Sequence, residues 1–122
     1  MRMARLLTPE VENFLKLATA KGVGFKFLQR FYSRYRTFGG NFEENLREFL
    51  KDYPPSKAKA VVEHLQREEF FKKLFTFLGT NGIEVIPFFG SEYPAQLLKW
   101  EIPALYLMGE LPDRGFSIVG TR

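Results

Sequence analysis

Tyr93–Arg122 reads YPAQLLKWEIPALYLMGELPDRGFSIVGTR, and two short apolar runs within it decide the second half of the fold. Ala104–Met108 and Phe116–Val119 are rich in β-formers, and each is followed by a glycine, so both predict buried strands with tight exits. The second run ends in Gly120-Thr121-Arg122. In an open α/β sheet, ligands bind at the carboxyl ends of strands, where loops present free backbone N–H groups. At such a point a glycine lets the backbone approach a phosphate, a threonine adds a hydroxyl donor, and an arginine supplies a bidentate fork. Upstream, Ile83–Pro87 (IEVIP) predicts a first strand, residues 88–92 a loop, and Tyr93–Leu98 one helical turn.

The front of the chain has a different period. Thr8-Pro9-Glu10 is a helix start, with a hydroxyl cap, proline at the first helical position and an acid in the first turn. Val11, Phe14, Leu15 and Ala18 then recur at helical spacing to about Ala20. Lys21-Gly22-Val23-Gly24 interrupts the pattern, and Phe27, Leu28, Phe31, Tyr32 and Tyr35 resume it in a second helix over residues 25–36. Asn41 with Glu44 three residues on forms a capping-box pattern for a third helix with Leu46, Phe49 and Leu50 on its buried face. Asp52-Tyr53-Pro54-Pro55 stops that helix. Ser56 is placed to cap a fourth, whose buried face is Ala58, Val61, Val62 and Leu65. The pattern shifts near Glu68–Phe70 and continues through Phe71, Leu74, Phe75 and Leu78, which admits one long helix or two with a bend. Gly79 and Asn81-Gly82 close it as a left-handed cap. A helical bundle followed by strands makes the fold class α+β, with the boundary after residue 80.

Composition narrows the function. With 122 residues there is room for one ordinary domain, or a small one plus part of another. Fourteen phenylalanines make the core aromatic-heavy, and the absence of cysteine excludes disulfides and thiolate metal sites, which suits a reducing cytoplasm. The start, MRMARLLTPE, lacks a signal-peptide core, and no stretch approaches the ~20 apolar residues of a membrane span. The expectation is a soluble cytoplasmic chain with no membrane partner. The net charge of +4 is unevenly placed: residues 13–42 hold six cations (Lys16, Lys21, Lys26, Arg30, Arg34, Arg36) and no acid, and the remainder nets negative. Such a local excess attracts a polyanion.

Lys26, Arg30 and Arg34 are spaced i, i+4, i+8, so they form one stripe beside the aromatic one, with Lys21 ahead of it and Arg36 at its end. Helix, Gly22-Val23-Gly24, helix fits a helix-hairpin-helix element whose hairpin N–H groups meet a phosphate. It equally fits a plain αα-hairpin that needs glycine for its turn. The candidate DNA- or RNA-contacting residues of the front half are therefore Lys21, Gly22, Gly24, Lys26, Arg30 and Arg34. No catalytic constellation is present: there is no Cys, no Walker loop, and no G-x-G-x-x-G after a strand. His64, the only histidine, has no ligand-like neighbour and predicts a surface or rim residue. Neither an enzyme, nor a metal, nor a cofactor is expected.

The order of the pieces from Tyr93-Pro94 through Leu97, Ile102-Pro103-Ala104-Leu105-Tyr106 and Gly109 to Ser117-Ile118-Val119-Gly120-Thr121-Arg122 resembles the DNA-processing protein A (DprA, or Smf) family. That family carries YP..L, then PP..LY..G, then a strand ending in IVG(S/T)R. The resemblance covers Gly82–Arg122 closely and the helical front half loosely, and Glu101-Ile102-Pro103 stands where the family has Asp-Pro-Pro. It implies a sterile-alpha-motif-like helical domain over residues 1–80. The opening strands of an incomplete Rossmann-like α/β domain would then occupy residues 81–122, the chain ending where that domain has scarcely begun. It also implies single-stranded DNA as ligand, RecA recombinase as partner during natural transformation and recombination, and Gly120, Thr121 and Arg122 as phosphate contacts. Two rival expectations stand beside it. One is a sterile-alpha-motif-like module that pairs with partners or with a second copy and binds no DNA; the other is part of a nucleotide-binding Rossmann enzyme.

Overall fold

The computed structural model describes residues 7–108 and 118–119. The fold class is α+β, with helices first and an antiparallel sheet after them. The described residues divide into a helical unit, Thr8–Phe71, and a second unit from Lys72 onward. The division falls inside a helix, whereas composition alone places a boundary after residue 80. No helix among the described residues is long and apolar enough to cross a membrane.

In the helical unit, α1 (Pro9–Ala18) begins as its sequence dictates, with the Thr8 hydroxyl accepting from the Val11 N–H at 3.2 Å. The second helix, α2, spans Phe25–Tyr35, and Arg36 closes it in the left-handed region at φ 61°. Helix α3 (Phe42–Phe49) runs into a 3₁₀ turn, Leu50–Asp52. Asn41 makes no side-chain cap to α3, so its spacing to Glu44 does not become a capping box. Helix α4 (Pro55–Leu65) starts two residues earlier than a cap at Ser56 predicts, with Pro54 at the N-cap, because Pro55 takes the first helical position that a missing N–H suits. Helix α5 (Glu68–Thr80) is separate from α4, the break lying at Gln66-Arg67. Gly82, at φ 62°, supplies the left-handed turn that follows α5.

Phe31 organises the helical core. It is fully buried, stacks on Phe38 with 5.2 Å between ring centroids, and meets Phe42 and Phe49 edge-on at 5.8 and 5.4 Å. Phe14 of α1 meets Phe38 at 5.4 Å, so one aromatic cluster joins α1, α2, α3 and the loop between the last two. A carboxylate ties that loop down: Glu10 accepts from the Thr37 hydroxyl and from the Phe38 N–H, each at 3.0 Å.

The second unit holds a three-stranded sheet ordered β1 (Ile83–Pro87), β2 (Ala104–Met108), β3 (Ile118–Val119). Both pairings are antiparallel, with Ile83 opposite Met108, Pro87 opposite Ala104, and Leu107 opposite Ile118. No parallel pair occurs among the described residues. All five residues of β1 are buried, the carboxylate-bearing Glu84 with the four apolar ones, although antiparallel sheets often leave one face to solvent. Ile86, Leu105 and Leu107 form a small core with Tyr93. The connection between β1 and β2 contains a 3₁₀ helix, Ala95–Trp100, shifted towards the carboxyl end from the turn expected at Tyr93–Leu98. Tyr93 closes that connection by donating its hydroxyl to the Ile102 carbonyl at 2.6 Å, and burial raises its pKa.

Two predictions test this packing. Phe31→Ala should destabilise the chain by ~3–5 kcal/mol in thermal or urea unfolding, while Ser33→Ala on the exposed side of α2 stays within about 0.5 kcal/mol. The second concerns His64, whose Nε2 lies 2.8 Å from the Thr19 hydroxyl and whose ring packs against Phe70 and Phe71. Because Thr19 donates its own proton to the Leu15 carbonyl at 2.8 Å, Nε2 is the donor to Thr19. Burial, followed by the charge of Arg67, lowers the pKa of His64 below its usual 6.5. A depressed folded pKa means fewer bound protons in the native state, so this contribution is complete above 6.5 and lost as pH falls towards the folded value. The wild type should therefore lose stability relative to His64→Gln on acidification from neutral pH; a pH-independent difference between the two would contradict the assignment.

Candidate nucleic-acid interface

The turn between α1 and α2 is built from the backbone outward. Ala20 N–H donates to the Leu17 carbonyl and Val23 N–H to the Ala20 carbonyl, each at 3.1 Å, while Val23 buries its side chain. That tight reversal forces Gly22 to φ 86°, a conformation that side chains with a Cβ resist. Gly24 has an ordinary extended backbone (φ −106°) and stands at the N-cap of α2, where it offers no side-chain oxygen to the first-turn N–H groups. The first turn of α2 also lacks an acid. The positive end of this helix thus carries neither a capping side chain nor a carboxylate of its own.

Lys21, Lys26 and Arg30 are exposed, and none of the three has an ion-pair partner among the described residues. Arg34, the fourth member of the stripe, is different. Its guanidinium lies 3.6 Å from Glu48 of α3 and 3.8 Å from Asp52 of the 3₁₀ turn, and 5.3 Å from the Tyr35 ring centroid. Tyr35 donates its hydroxyl to the same Glu48 at 2.8 Å, and its pKa is raised by burial and then by that hydrogen bond. The segment free of acids in sequence is therefore not free of them in space at its carboxyl end. Exposed pairs of this length contribute little stability. They do lower the positive potential around Arg34.

The structure thus brings Lys21, Gly22, Gly24, Lys26 and Arg30 to one end and one exposed face of α2 and pairs Arg34 with acids. Gly120, Thr121 and Arg122 lie outside the described residues. Phe27 and Phe31 are buried and Tyr35 is half-buried, which leaves them to the core and not to base stacking. Lys16 sits with its ammonium 5.8 Å from the Phe71 ring, apart from this face. Among the described residues no cluster of three or more His, Asp or Glu side chains could hold a metal ion. No protein-family model, no curated protein and no solved structure matches the chain.

The two glycines of the turn should respond differently to substitution. Neither has an atom within 4 Å of where a Cβ would stand, so only backbone conformation separates them. Gly22→Ala should cost about 1–2 kcal/mol in unfolding experiments. Gly24→Ala, at an N-cap whose conformation any residue adopts, should cost about half a kcal/mol.

Proposed function

We propose that this chain is a DprA-like DNA-processing module that binds single-stranded DNA in the cytoplasm through phosphate contacts. The observation that carries the reading is the set of three exposed cations, Lys21, Lys26 and Arg30, without an ion-pair partner among the described residues, around an α2 amino terminus with no acid in its first turn and no side-chain cap. Phosphates suit that arrangement twice over, because the cations neutralise their charge and the first-turn N–H groups donate to their oxygens. Gln29 is the single exposed amide side chain of α2 beside Lys26 and Arg30, too few for a helix that reads base edges, so binding is independent of base sequence. In this reading the helical unit is the sterile-alpha-motif-like domain. Strand β3 then leads into Gly120-Thr121-Arg122 as a second phosphate contact at the start of a Rossmann-like domain. Loading of RecA on the bound strand follows from the family resemblance.

Titrating a labelled oligo(dT) at several salt concentrations tests the proposal. Three neutralised phosphates give a log–log salt slope of about −2 on a single strand. Arg30→Gln should make that slope shallower by about 0.7, whereas Arg34→Gln, whose charge is already met by Glu48 and Asp52, should change it far less. Glu48→Gln combined with Asp52→Asn frees Arg34 and should steepen the slope. Salt-insensitive binding, or equal effects of Arg30→Gln and Arg34→Gln, would remove this face from the account.

A further inference from the structure

The apolar stripe of α4 is wider than the core that covers it. Ala58, Val61, Val62 and Leu65 share the helical spacing of a buried face, yet only Val61 is buried, and Val62 is 42% exposed. Val62 lines an open groove of about 530 Å³ between α4 and the α3–3₁₀ segment, whose apolar surface also includes Leu50, Tyr53 and Ala58. That volume lies within the ~300–1,000 Å³ usual for binding sites.

The rim has a sign. Arg47 and Lys51 stand on one wall and Lys59 on the other, against a single acid, Glu63. None of these three cations has an ion pair among the described residues, and all three are exposed. An occupant must therefore bring apolar side chains for the floor and carboxylates for the rim. A nucleic-acid strand does not fit that demand. The one aromatic ring in the groove, Tyr53, already packs against Phe27 at 5.1 Å and Phe49 at 5.5 Å and carries the Lys57 ammonium 5.2 Å from its centroid. Its faces are taken, so no base-stacking platform remains. Isologous pairing of two copies through this groove would set cations against cations. We infer that the groove between α3 and α4 is a docking site for an amphipathic helical segment of a partner protein whose apolar face is flanked by acidic residues. Groove walls made of helices, with no strand edge between them, favour a helix laid in the groove over an added strand.

The probe is a fluorescein-labelled synthetic helical peptide with leucines at i, i+3 or i+4 and i+7 and glutamates beside them. A counterpart with lysine for every glutamate serves as the control. Anisotropy titration and amide chemical-shift mapping on the full chain should show saturable binding of the glutamate peptide alone, with shifts centred on Ala58, Lys59 and Val62. Val62→Glu, and separately Lys51→Glu with Lys59→Glu, should weaken it about ten-fold or more. All three positions are exposed, and circular dichroism verifies that the variants fold. Lys26→Glu with Arg30→Glu should leave peptide binding intact, which separates this site from the DNA-binding face. Absence of saturable binding, or binding unchanged by Val62→Glu, overturns the inference. Displacement of the peptide by oligo(dT) would assign the groove to nucleic acid instead, and concentration-dependent self-association abolished by Val62→Glu would assign it to a second copy.

Discussion

What α2 exposes is fixed by what it buries. Phe31 is closed in by Phe38, Phe42 and Phe49, and Phe27 of the same helix packs on Phe49 and Tyr53. With aromatic rings from three other segments gripping one side, α2 cannot rotate about its axis without dismantling the cluster, because cores of this kind have discrete arrangements. Lys26 and Arg30 are held on the solvent side by that grip. The amino terminus of α2 stays open because the residue before it is Gly24 and its first turn has no carboxylate. The aromatic core and the cationic face are two consequences of one helix orientation.

Charge and apolarity on this surface show how local bias turns into a spatial pattern. Six cations without an acid over residues 13–42 describe a stretch of chain, and folding redistributes it. Glu48 and Asp52 come from the next helix and turn to meet Arg34, which divides the stripe into a neutralised end and a free end. The free end has a polar, backbone-rich surface suited to phosphate. The groove along α4 has the opposite make-up, an apolar floor inside a cationic rim. The two surfaces share a sign and differ in their floors.

Much of this was legible in the chain. Thr8-Pro9-Glu10 marks the start of α1, Gly22 marks the reversal, and the apolar runs at Ile83–Pro87 and Ala104–Met108 coincide with β1 and β2 residue for residue. Those signals are local, set by capping, φ preference and side-chain periodicity. What could not be read was non-local. An apolar strand does not encode the direction of its neighbour, so the antiparallel order β1-β2-β3 appears only in three dimensions. The acids of Arg34 lie beyond the loop that follows α2, and Val62 looks like core because periodicity measures pattern and not cover. His64 is at the rim as its sequence context implies, but its hydrogen bond to Thr19 had no signal, since the two are 45 residues apart.

The central claim is that phosphates of a single strand meet the amino terminus of α2 and the cations beside it. Chemical-shift mapping of the isotope-labelled chain with oligo(dT) is its most direct measurement, since amide N–H groups that donate to phosphate shift strongly and individually. The account predicts that the largest changes fall on the backbone amides of Gly22, Gly24 and Lys26, extend to Arg30, and fade before Arg34. Changes confined to residues outside 21–30, or none at all under conditions of saturating DNA, would contradict it.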